Sequence, residues 1–176
     1  MDTQTKEKRK RAAWRIVLTI LYALYTAWIF SNSLKTADVS TEQSGSVVDG
    51  VQAIFAAIFP NGWVANAQGE DLALFHAIVR GVAHFLEFAL LGALSIWVCR
   101  AYTKEKKWYL VPFLVSLIVA VVDECLQIFT DGRAFEWTDI LIDFSGAIAG
   151  VAFAVLTLVI AKKIIEKKKV KEKADE

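Results

Sequence analysis

The sequence predicts an all-α integral membrane bundle of four transmembrane helices with an additional amphipathic helix on the outer face. Three observations predict it. Of the 176 residues 56% are hydrophobic, and a mean hydropathy of +0.43 belongs with membrane proteins rather than soluble domains. Four apolar runs are long enough to cross a hydrocarbon core of about 30 Å at about 1.5 Å per residue. Net charge is only +1, yet the basic residues gather beside those runs. Such clusters read as membrane-flanking segments, so no nucleic-acid partner is expected.

The first span is WRIVLTILYALYTAWIF, residues 14–30 and on to Leu34, with Trp14 and Trp28 as interface anchors. Its basic start resembles a signal peptide, but the apolar run is too long and no small-x-small cleavage site follows, so it reads as an anchor. Residues 35–71 are polar, then amphipathic. Ser40 and Gln43 have capping-box spacing, and Val47, Val48, Val51, Ile54, Phe55, Ile58 and Phe59 recur at helical period before Pro60-Asn61-Gly62. This predicts an interfacial helix lying over the bundle. The second span runs from about Val82 to Val98, after a helical lead-in that Asp71 is placed to cap. The third is expected over Trp108–Phe129 and the fourth over Ile140–Ala161.

Basic residues crowd the N-terminus, the 100–107 connection and the C-terminus, so the positive-inside rule makes those three cytoplasmic. The chain then divides into a basic cytoplasmic N-terminus (1–13), a four-span membrane domain (14–161) and a charged cytoplasmic tail (162–176). The 35–71 connection and the 130–138 loop fall on the outer face. Cys99 and Cys125 lie in different runs with no metal-ligand spacing, which argues against a disulfide.

Against this apolar background, ionisable residues stand out, because each carboxylate near a helix centre costs about 2.5–3.5 kcal/mol to insert. Arg80, His84 and Glu87 are spaced i, i+4, i+7 in span two, and Asp123 and Gln127 are i, i+4 in span three, with Glu124 beside them. Asp139, Asp143, Gly146 and Gly150 share one face of span four, and Gly146-x-x-x-Gly150 invites a close helix neighbour. By the predicted topology these charges lie within roughly 5–10 Å of the outer boundary, in one layer.

The order Arg-x-x-x-His-x-x-Glu, Asp-Glu-x-x-Gln, Gly-Arg, Asp-x-x-x-Asp-x-x-Gly-x-x-x-Gly is carried by IFSNSLKTADVSTEQS, IVRGVAHFLEFALLG and DECLQIFTDGRAFEWTDILIDFSGAIAG. From Ile29 to about Gly150 it resembles the VanZ-like family of membrane proteins, known for resistance to glycopeptide antibiotics, teicoplanin in particular. Two departures alter the local charge: Gly81 stands where the family usually has lysine, and Asp143 where it has asparagine. The resemblance implies a multi-pass protein of the bacterial cytoplasmic membrane that lowers glycopeptide susceptibility.

Three functions compete for these residues. In the first, an outer-leaflet pocket binds an anionic lipid or a lipid-linked cell-wall precursor, with Arg80 and Arg133 as anion contacts and Glu87, Asp123, Gln127, Asp139 and Asp143 completing a polar core. The second is a membrane-embedded hydrolase or transferase using His84 and Glu124 as an acid/base pair or as ligands of a divalent cation; no other cofactor is implied. In the third, the charges serve packing and assembly alone. Ser31 and Ser33, ending span one, either reach the pocket or satisfy their own helix carbonyls.

Overall fold

A computed structural model of the chain describes residues 2–174. It has five α-helices: α1 (Thr3–Ser33), α2 (Ala37–Ile58), α3 (Glu70–Tyr102), α4 (Leu110–Gln127) and α5 (Trp137–Ala174). Short 3-10 turns lie at Val64–Asn66 and Lys106–Tyr109, with no strand among the described residues. The four helices α1, α3, α4 and α5 are long and apolar enough to cross a membrane. Their outward surfaces agree: Ile20, Leu24, Ile118, Leu141 and Leu156 are all exposed. Water would penalise that surface by about 25 cal/mol per Å², whereas lipid tails do not.

The core is built around α3. Phe88 and Leu91 pack with Ile29 of α1, Val119 and Ala120 of α4 and Ala147 of α5. Further along, Ile96 and Ala93 meet Ala154 of α5. The most extensive interface is that of α3 with α5. The two helices run parallel, since Arg80 faces Asp139, His84 faces Asp143, and Ala89 faces Gly150. Backbone meets backbone here: a Cβ on Gly146 would strike the Phe85 carbonyl, one on Gly150 the Ala89 carbonyl, and one on Gly92 the Ala147 carbonyl. The expected close neighbour of the Gly146/Gly150 face is therefore α3, which brings a glycine of its own.

Several expected boundaries move. α1 starts at Thr3, with the Asp2 side chain accepting from the Gln4 amide at 3.4 Å, and α5 runs on to Ala174. Helix thus continues through residues 13 and 161, because lysine, arginine and glutamate are good helix formers. The lead-in and span two merge into one helix from Glu70. Gly69, at φ +56°, is its N-cap in place of Asp71, which sits in the first turn where its charge suits the helix dipole. α4 begins at Leu110 after a 3-10 turn that takes in Trp108, and ends at Gln127, before Phe129.

α2 starts at Ala37 with Thr36 as its N-cap, so Ser40 lies inside the helix and does not cap it; the Gln43 side chain lies outside the described residues. Its apolar stripe faces away from the bundle. Val48 is buried, but Val47, Ile54, Phe55, Ile58 and Phe59 are exposed, while Ala37, Ser40 and Ser44 turn inward. The physical reason is what lies beneath: the inner face of α2 covers polar groups, so its hydroxyls go in and its apolar residues stay out. At the other end of the bundle, Arg15 donates to the Ala101 carbonyl at 2.8 Å, and Thr19 and Tyr102 share a hydrogen bond at 3.0 Å.

The glycine contacts predict a contrast. Gly150→Leu should cost at least about 1–3 kcal/mol in forced separation of α3 and α5, seen as a lower thermal midpoint in detergent. Gly81→Ala, whose added carbon meets only Ile142 Cδ1 at 3.5 Å, should not lower the midpoint, since alanine also favours helix.

Candidate functional site

Polar side chains from α1, α3, α4 and α5 meet in one layer at the α2-covered end of the bundle. α3 and α5 supply a two-rung ladder. Arg80 Nη2 donates to Asp139 Oδ2 at 2.7 Å, and one turn deeper His84 Nδ1 stands 3.1 Å from Asp143 Oδ1. The four-residue step is the same on both helices, so the parallel contact keeps both pairs in register.

α4 presents its two adjacent acids to different neighbours. Asp123 is 1% exposed and accepts from Ser33 Oγ at 2.5 Å; Glu124 is 0% exposed and accepts from Gln127 Nε2 at 2.8 Å and the Glu136 amide at 3.0 Å. About 100° of helical rotation separates the two side chains, which lets one face α1 and α3 while the other holds the loop before α5. Asp123, His84 and Asp143 each bring a ligand-type atom within 4.8 Å of the others. His84 therefore stands with Asp143 and Asp123, and Glu124 with Gln127 and Glu136. Glu87 turns toward α1, where Asn32 Nδ2 lies 3.5 Å from Oε1, and Lys35 donates to the Asn32 oxygen at 2.8 Å.

Arg133 follows Gly132, whose φ of +76° a side chain would not tolerate; Ala37 Cβ also lies only 3.0 Å from where a Cβ would stand. That turn is pinned to the bundle by the Ala37 amide donating to the Asp131 carbonyl at 3.2 Å and by Thr130 Oγ1 donating to the Ser33 carbonyl at 3.3 Å. So fixed, Arg133 Nη2 donates to Ser40 Oγ. A cleft of about 190 Å³ opens there, lined by Arg80, Arg133, Gln127, Ser40, Thr41 and Ser44 among others. Burial, and next the neighbouring Arg80, pull the Arg133 guanidinium below its ordinary value, yet an arginine keeps its charge in a protein. The two guanidiniums present unused N–H donors to the cleft, which Glu136 also lines.

Gln127 is 0% exposed and its Oε1 has no partner among the described residues. Its amide cannot be turned over, because Nε2 is needed as donor to Glu124. An acceptor thus remains open on a residue that lines the cleft.

The structure gathers all nine sequence-predicted residues, Arg80, His84, Glu87, Asp123, Glu124, Gln127, Arg133, Asp139 and Asp143, into two adjoining groups: the cleft, and the deeper cluster around His84. Ser33 reaches the deeper group, as one of its two expected roles required. Sequence reasoning missed the α2 hydroxyls, Asn32 and the Glu136 amide. Ser40, Thr41 and Ser44 are spaced i, i+1, i+4, a polar stripe that was legible but was hidden behind the capping-box reading of Ser40.

The Glu124 contacts carry a prediction. Glu124→Gln keeps one acceptor oxygen for two buried donors, so it should cost about 1–3 kcal/mol. Hydrogen–deuterium exchange should then be faster at the Glu136 amide, while amides in the middle of α3 keep their protection.

Comparison with known proteins agrees with this arrangement. A VanZ/LLP1 family model matches residues 18–160, a stretch that contains every residue of the layer. Neither the curated proteins nor the solved structures include a match to the chain. With four membrane-crossing helices and a family match over most of its length, this chain is a multi-pass membrane protein of the VanZ/LLP1 family.

Proposed function

We propose that this protein is a bacterial cell-envelope protein whose α2-covered cleft receives the phosphate of an anionic lipid or a lipid-linked cell-wall precursor, and that this lowers susceptibility to glycopeptides such as teicoplanin. The observation that carries the reading is the pair Arg80 and Arg133 converging on one cleft with Ser40, Thr41 and Ser44. Each guanidinium has five donors. Arg80 directs one at Asp139 and Arg133 one at Ser40, so donors remain for phosphate oxygens. The hydroxyls supply further neutral donors for the same oxygens.

Depth supports the same reading. The cleft lies where α1 and α4 end and α5 begins, and the exposed apolar face of α2 beside it suits the boundary between headgroups and tails. The basic residues at 6–15, 100–107 and 162–171 lie at the opposite end, which supports an outward-facing cleft with both termini cytoplasmic.

A hydrolase or transferase reading rests on the His84–Asp143 contact, since a carboxylate-held imidazole is a competent general base. It differs in what it requires: a headgroup that is turned over rather than retained.

The binding reading is tested by native mass spectrometry of protein extracted with its own lipids. Arg133→Ala and Arg80→Ala should each weaken retention of anionic headgroups by about 10-fold, the equivalent of one charge-assisted contact. Lys104→Ala, at the far end, should change nothing. In cells, Arg133→Ala protein at normal membrane level should lose any teicoplanin tolerance that the wild type confers. Unchanged retention in both arginine variants would reject the cleft as an anion site.

A further inference from the structure

Below the arginine cleft, one helical turn deeper along α3 and α5, lies a group that phosphate binding does not use. We infer that His84, Asp123 and Asp143 form a site for one divalent cation of the zinc class. One imidazole nitrogen and one oxygen from each carboxylate lie within 4.8 Å of one another. Ligand atoms around an ion held at about 2.1 Å stand about 3.4 Å apart in a tetrahedron, so closing the site takes about 1 Å of side-chain movement.

A second, independent observation points to a ligand. Asp143 is 0% exposed, and its Oδ2 has no hydrogen-bond partner among the described residues. A buried carboxylate oxygen without a donor is costly, and the oxygen belongs to the group that would bind the ion. His84 accounts for the other oxygen, Oδ1. Asp123 is oriented by Ser33 Oγ, as an outer-shell hydroxyl orients a ligating carboxylate.

Charge balance leads the same way. The layer holds five carboxylates, Glu87, Asp123, Glu124, Asp139 and Asp143, against three permanent cations, Lys35, Arg80 and Arg133. The carboxylates outnumber the permanent cations, and a divalent cation offsets part of that excess. Among apolar helices that compensation is worth far more than at a wet surface.

The donor set selects the ion. Imidazole suits zinc, iron and nickel, whereas magnesium and calcium prefer all-oxygen sites; two carboxylates with one histidine therefore favour zinc-class ions over magnesium. Three protein ligands leave a fourth position open, the pattern of a site that takes water or a ligand oxygen.

The test uses the full chain in detergent, stripped with chelator, dialysed against zinc chloride or magnesium chloride, and assayed by mass spectrometry of bound metal. Wild type should take up about one equivalent of zinc and little magnesium. Asp143→Asn and His84→Gln should weaken zinc binding by more than about 100-fold, and Ser33→Ala by roughly 10–100-fold, as outer-shell changes do. Zinc should raise the thermal midpoint of the wild type but not of His84→Gln, which reports on the site even where a variant is less stable. Lys104→Ala, at the far end, should bind zinc as the wild type does, and zinc uptake is read without any anion, so failure of the anion reading is distinguished from failure of this one. No zinc uptake by the wild type, or full uptake by Asp143→Asn, overturns the site.

Discussion

Three glycines let α3 and α5 run backbone against backbone, and that contact fixes the register of every charged pair beside it. Because the helices are parallel, equal steps along both keep Arg80 opposite Asp139 and His84 opposite Asp143. In an antiparallel pair the same residues would draw apart along the helices. The small residues thus do more than permit packing: they bring opposite charges together in a medium that would otherwise penalise each of them.

Around that seam the remaining elements act as partners for groups that would be left unpaired. α1 ends at the right level to offer Ser33 to Asp123 and Asn32 to Glu87. α4 stops at Gln127, and Glu124 then holds the returning loop through the Glu136 amide. α2 covers the layer with hydroxyls. The result is a polar interior at one end of an otherwise apolar bundle, with a shallow cleft governed by guanidinium groups and a deeper cluster governed by carboxylates and an imidazole.

Much of this was legible because membrane sequences have little freedom. Apolar runs of a given length have few folds open to them, and ionisable residues inside them are too costly to be incidental. Spacing therefore exposed Arg80, His84 and Glu87 on one stripe, and Asp139, Asp143, Gly146 and Gly150 on another. Pairing was not legible, because helical period gives a direction and not a neighbour: the spacing offered Glu124 to His84, whereas Asp143 stands beside it. The facing of α2 was not legible for a related reason. An apolar stripe normally marks the buried face, but beside a bilayer it can be the face that meets lipid, and only knowledge of the polar layer beneath decides. The helix ends were obscured too, since lysine and glutamate favour helix as readily as solvent.

α5 joins two environments in one unbroken rod. Its first turns carry Asp139 and Asp143, and its last carry Lys162, Lys163, Lys167, Lys168 and Lys171, with no break between. At 38 residues it is about 57 Å long, well beyond a hydrocarbon thickness of about 30 Å. A lysine arm of this kind cannot settle onto an anionic leaflet as a loose tether would. As one continuous helix, α5 links its two ends, so a tilt imposed at the lysine-rich end reaches the turns that carry Asp139 and Asp143.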